Sequence, residues 1–131
     1  MSPAAACTIK RFFDETNTTP DQYDLILTGD LAAVGSALLH DLLMRENIDI
    51  KSNHNDCGLM IYDRGAQDVH AGGSGCGCSA SVLCAYIIPK MRKRELNNVL
   101  FCATGALMSP LAIQQGETIP GIAHLIHLST Q

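Results

Sequence analysis

Cys76 and Cys78 stand two residues apart inside the run Gly72-Gly73-Ser74-Gly75-Cys76-Gly77-Cys78-Ser79. Two thiols at that spacing can clamp a metal, and His54, Cys57 and His70 are near enough in sequence to complete a tetrahedral set. No Cys-x-x-Cys or His-x-x-x-His pair accompanies them, so the pattern favours nucleophilic thiol chemistry over zinc. A helix N-terminus lowers the pKa of a thiol, and the apolar segment Ser81–Ile88 follows the loop directly. A nucleophile also needs a base, and the sequence places no histidine beside it. Glycine admits close approach to the backbone, and the free N–H groups at Ser74–Ser79 suit an anion. The loop reads either as a thiol-bearing, anion-tolerant ligand loop or as a tight turn before a core helix.

Asp30 is the second candidate. It follows the short apolar strand expected over Tyr23–Thr28 and precedes a helix with Val34, Leu38, Leu39, Leu42 and Leu43 on one side. Its expected role is the N-cap of that helix, with a ligand contact as the alternative. His54-Asn55-Asp56-Cys57-Gly58 is expected to form a turn in which Asp56 bonds its own backbone, a second ligand-facing loop being the alternative. His124 and His127 lie three apart in a strand, face opposite sides and read as structural. Asp63, Arg64 and Asp68 read as solvated loop charges.

The elements that must hold these residues begin with Ser2-Pro3, an N-cap serine and a first-turn proline, opening a helix over 3–15. Residues 47–58 look irregular. Leu59–Tyr62 reads as a short strand or a pocket wall, and Val69–Ala71 as a brief return strand. A helix apolar all round, ending near Arg94, must be buried on both sides. Val99–Ala103 and Ile122–Leu128 read as strands, with a small-residue turn over Thr104–Pro110 and a polar tip at Gln114–Glu117. The fold class is α/β, in one domain spanning 1–131.

The chain has 131 residues, 47% hydrophobic and 17% charged, which is a globular composition. The net charge is −4, and only Lys90, Arg92, Lys93 and Arg94 cluster, so a nucleic-acid partner is not expected. That cluster suits a helix C-terminus. No apolar run reaches the ~20 residues that span a bilayer, and Met1–Ala6 does not resemble a signal peptide. The six cysteines read as reduced intracellular thiols, with Cys7, Cys84 and Cys102 in the core.

Strand-turn-helix, glycine loop into a central apolar helix, then two strands about a turn resembles the C-terminal half of the thiolase-like fold. Within it, four segments are similar to the stage V sporulation protein AD family. They are Tyr23-Asp24-Leu25-Ile26-Leu27-Thr28-Gly29-Asp30, Asp56-Cys57-Gly58, Ala71-Gly72-Gly73-Ser74-Gly75-Cys76-Gly77-Cys78-Ser79-Ala80 and Ala103-Thr104-Gly105-Ala106-Leu107-Met108-Ser109-Pro110. The resemblance implies a C-terminal half of a layered α/β/α fold. Cys76 stands where the enzymes of the superfamily carry a loop histidine or asparagine, and Gly29 where the synthases carry a strand-end histidine. Cys102 lies near the second cysteine of biosynthetic thiolases. Their nucleophilic cysteine belongs to the half not seen here. The resemblance thus implies a retained pocket without catalysis, no cofactor and no metal.

It further implies binding of dipicolinic acid for uptake into the developing spore, with Asp30, Gly75, Cys76, Ser79, Gly105 and Ala106 as ligand-binding residues. The implied setting is intracellular, in the forespore or spore, peripheral to the inner membrane within a complex of sporulation proteins. The implied structural partner is the missing N-terminal half or a dimer mate, since half a fold would expose an apolar face. The competing reading is the C-terminal half of an acyl-CoA condensing or acyl-transfer enzyme, with Cys76 or Cys102 active. A purely structural module is the third.

Overall fold

The computed structural model describes residues 1–106 and 108–130. Leu107, within the turn expected over 104–110, lies outside the described residues. Strands β1 (Leu25–Thr28), β2 (His54–Asp56), β3 (Asn98–Ala106) and β4 (Gly121–Ser129) form a sheet in the order β2-β1-β3-β4. β1 pairs in parallel with β2 and β3, and β4 closes the edge antiparallel to β3. Alternation along β1 and β3 sends side chains to both faces. Ile26, Leu100 and Cys102 enter one core, while Leu27, Val99 and Phe101 enter the other.

Helices α1 (Ser2–Thr16) and α2 (Ala32–Arg45) cover the first face. Ala5, Ile9 and Phe13 recur at helical spacing and are buried. Ile9, Leu39 and Leu43 are fully buried, worth about 1.5–3 kcal/mol each. Ser2 does not cap α1 as the sequence suggested. It lies inside the helix, is buried, and donates its hydroxyl to the Gly35 carbonyl of α2 at 2.8 Å. The apolar side expected for α2 is narrower than read. Leu39 and Leu43 are inside, but Val34 and Leu38 are exposed.

The second face is covered by one run of helix after the glycine loop. It comprises α4 (Cys78–Val82), a π-helical turn (Leu83–Ile87) and α5 (Ile88–Arg92). Its buried residues are Cys78, Val82, Ile87 and Met91. Steps of four keep a helical stripe on one face, and the step of five from Val82 to Ile87 falls on the π turn. That turn accommodates one extra residue and returns the stripe to the sheet. Burial on both sides is not found: Ser81, Cys84, Ala85 and Tyr86 are exposed.

Four local expectations are corrected. Residues 54–56 are a strand, paired through backbone to β1 despite their polar side chains. Residues 57–60 are a short helix, α3 (Cys57–Met60), so of the two readings of 59–62 the strand fails and the pocket wall holds, with Met60 and Ile61 lining a hollow, and Val69–Ala71 forms no strand. β3 continues through Thr104, Gly105 and Ala106, and α6 (Pro110–Gln114) follows where a plain turn was expected. No helix among the described residues is long and apolar enough to cross a membrane.

Candidate functional site

Asp30, Gly75, Cys76, Ser79, Gly105 and Ala106 line one cavity of about 470 Å³, together with Met1, Ser74, Thr104 and Met108. Three elements converge there: the turn after β1, the glycine loop and the outer end of β3. A larger hollow of about 540 Å³ is lined by Met60, Ile61, Val82, Ala85 and Tyr86, with Asn55 and Ser81 its polar members. That hollow offers apolar shape but little to orient a charged ligand. The smaller cavity carries the chemistry.

Asp30 does not cap α2. Its carboxylate accepts from the Ser74 hydroxyl at 2.9 Å, the Gly75 N–H at 3.2 Å and the Thr104 hydroxyl at 2.8 Å. Its own N–H donates to Thr104 Oγ1 at 2.9 Å. One side chain thereby fixes the spacing of all three walls. Its charge is shared among neutral donors, and among the described residues no Lys, Arg or His lines the cavity.

The cap of α2 comes from a distant residue, Asp56 at the end of β2. It is fully buried and accepts from Leu31 N–H at 2.9 Å and Ala32 N–H at 2.8 Å. It also accepts from Gly58 N–H at 2.9 Å, the local bond expected of it, and from the Thr28 hydroxyl at 2.5 Å. Burial pushes its carboxyl up from the ordinary value, against these donors, which favour the charge. Ala32 sits at φ 54, a left-handed conformation that an alanine adopts at some cost, and Asp56 holds its N–H there.

Asp56 also reaches the glycine loop. The Gly58 carbonyl accepts from Gly73 N–H at 2.7 Å, and the two backbones cross in contact. A Cβ built on Gly58 would lie 2.2 Å from the Gly73 carbonyl oxygen. Gly72 adopts φ +126, which side-chain-bearing residues rarely reach. The glycines of this loop therefore serve close packing as well as access.

The thiols divide sharply. Cys76 is exposed and lines the cavity. Cys78 is buried, and burial pushes its thiol up, opposite to the lowering expected at a helix start. Burial pushes Cys57 and Cys102 up to about 12, so both stay protonated. Cys102 is in the core as expected, whereas Cys7 and Cys84 are exposed. Among the described residues no three metal-ligating side chains gather. His54 and Cys57 point into separate contacts, and His70 is exposed at φ 49. His124 is exposed, and His127 stacks edge-on against Tyr23 at 5.4 Å. The residues the sequence left out are Ser74 and Thr104, which anchor Asp30. A hydroxyl beside each of two predicted ligand loops was the available signal.

A family model of stage V sporulation protein AD matches residues 1–129. Stage V sporulation protein AD of Bacillus subtilis (strain 168) is 54% identical over 124 residues, which are 95% of this chain and 36% of that protein. The chain thus spans about a third of the length of the curated relative it matches.

Proposed function

The chain belongs to the stage V sporulation protein AD family, and on that premise we propose that its cavity binds a small planar dianion, dipicolinic acid. In this reading the protein is a ligand-binding subunit without catalysis, acting in dipicolinate uptake by the developing spore. It works beside the inner membrane in company with other sporulation proteins. The thiolase-like ancestry is part of the same proposal. The observation that carries it is the convergence of Asp30, the glycine loop and the end of β3 on one cavity whose only carboxylate is already met by three donors.

Such a cavity offers the Ser79 hydroxyl, the Cys76 thiol and a glycine backbone, the hydroxyls of Ser74 and Thr104 being given to Asp30. Those groups suit carboxylates and an aromatic ring better than they suit proton transfer. Among the described residues no histidine or lysine lines it to serve as base, and the buried thiols of Cys57 and Cys102 are held protonated. The charge of a dianion is met here by neutral dipoles.

A second reading keeps one point in its favour: Cys76 is an exposed thiol at the cavity. It makes the chain part of an acyl-CoA condensing or acyl-transfer enzyme. The test is calorimetric titration of dipicolinate, with benzoate as control, into the longest polypeptide that carries this segment. Saturable binding selective for dipicolinate and weakened by Asp30→Ala is the expected result. A folded protein that takes up no dipicolinate but gains an acyl mass on Cys76 from acyl-CoA reverses the order of the two readings.

A further inference from the structure

Behind the cavity runs a chain of hydrogen bonds with a direction. The ionised Asp56 carboxylate only accepts, so Thr28 Oγ1 gives it its single proton at 2.5 Å. The same oxygen lies 3.1 Å from His54 Nε2 and can only accept there. Nε2 of His54 therefore carries hydrogen, and its Nδ1 is a lone pair. That lone pair faces His40 Nε2 at 2.9 Å, so His40 Nε2 carries hydrogen too. The two rings meet edge to face, 4.7 Å between centroids. The order is His40, His54, Thr28, Asp56, from the partly open side of α2 to the buried carboxylate.

One added proton, on His40 Nδ1, leaves every bond in place. A second, on His54 Nδ1, sets N–H against N–H and two cations side by side. Burial opposes that second proton, and a charged His40 opposes it further, so His54 lies at about 4. His40 is also lowered, by burial and by Lys51, with Asp49 and Asp41 pulling the other way. The thiols of Cys57 and Cys78 face Asp56 and are held protonated. When the rings part, Thr28 loses the donor that orients it. Its hydroxyl has a second acceptor ready, the Asn55 carbonyl at 3.4 Å. Turning to it takes from Asp56 its shortest bond.

We propose that this chain is a pH-responsive latch on the cavity: double protonation of His40 and His54 loosens the hold of Asp56 on Leu31, Ala32 and Gly58, and so frees the walls that carry Asp30 and Gly75. Its consequence for affinity rests on the dipicolinate reading above. The latch itself does not. It predicts a ligand cavity that is ordered at neutral pH and loosens in acid, through residues that never touch the ligand.

The test is an NMR titration of the complete polypeptide without ligand, between about pH 7 and about pH 4. Both histidines are expected as Nε2–H tautomers at the upper end. The protection factors of the Leu31, Ala32 and Gly58 amides, taken relative to their intrinsic rates at each pH, are expected to fall about tenfold once His54 titrates, while amides of α1 stay protected. Gln at position 54 can still donate to Thr28 but does not titrate, so His54→Gln should keep protection at neutral pH and lose its acid dependence. If that variant does not fold, His40→Gln serves: without the like charge His54 should take its proton at higher pH, and the loss of amide protection should move up with it. An Nδ1–H tautomer at His54, or an unchanged acid response in the variant that folds, overturns the latch. Amides that titrate as stated in a protein that binds no dipicolinate at any pH uphold the latch and remove the ligand reading.

Discussion

Asp30 and Asp56 flank the same turn and do opposite things. Both carboxylates accept several hydrogen bonds, from Ser74, Gly75 and Thr104 in one case and from Thr28, Leu31, Ala32 and Gly58 in the other. Asp56 is sealed from water, and its donors are mostly backbone amides with no alternative partner. Asp30 opens on a cavity, and two of its donors are hydroxyls that water or a ligand could satisfy. The same residue type becomes a structural knot where burial makes each donor dependent on it, and a replaceable site group where it does not.

The comparison is broken most directly by Asp56→Ala. It strands three buried amides and a hydroxyl, and should cost about 3–5 kcal/mol in urea unfolding. A loss under about 1 kcal/mol would mean that Asp56 is no knot. Acid comes next. The folded His54 value of about 4 lies below the ordinary 6.5, so the unfolded chain takes its proton first. Stability from this group is therefore complete above about pH 6.5 and is lost on descent to about pH 4, by at most about 3 kcal/mol. Asp56, raised rather than lowered, has the opposite sign and offsets part of that loss at the acid end. Unfolding followed across that window should slope for the native chain and flatten for His54→Gln.

Asp30→Ala should cost only about 1 kcal/mol of stability, because its hydroxyl donors find water, yet it should weaken dipicolinate binding measured by calorimetry. Equal destabilisation by Asp30→Ala and Asp56→Ala would erase the distinction between them. The smallest effect has the reverse sign. Ala32→Gly relieves a left-handed alanine at φ 54 and should raise the melting temperature, a gain of about 0.5–1 kcal/mol.

How much of this could be read from residues alone differs by element. β1, β3 and β4 announce themselves as apolar runs between breakers, and the α/β class follows from them. The six residues of the ligand set do meet at one cavity, although what they bind is a separate question. β2 was illegible because His54, Asn55 and Asp56 owe their strand to pairing with β1, not to any apolar alternation. The cap of α2 was misassigned because capping was sought from the adjacent Asp30. The group that supplies it is 24 residues away from Ala32 in sequence, a relation no local pattern records. The serine-proline rule failed at Ser2, where tertiary packing claimed the hydroxyl. It would have succeeded at Ser109-Pro110, where the serine accepts from Ala112 N–H at 3.3 Å and starts α6.

The crossing of Gly58 over Gly73 sets the loop by a hydrogen bond between uncharged backbone groups and by the repulsion of atoms that cannot come closer, not by attraction between charges. Repulsion of that kind does not fade in concentrated salt, where ion pairs are screened, nor does it titrate. A change of ionic strength should therefore leave the position of the loop alone.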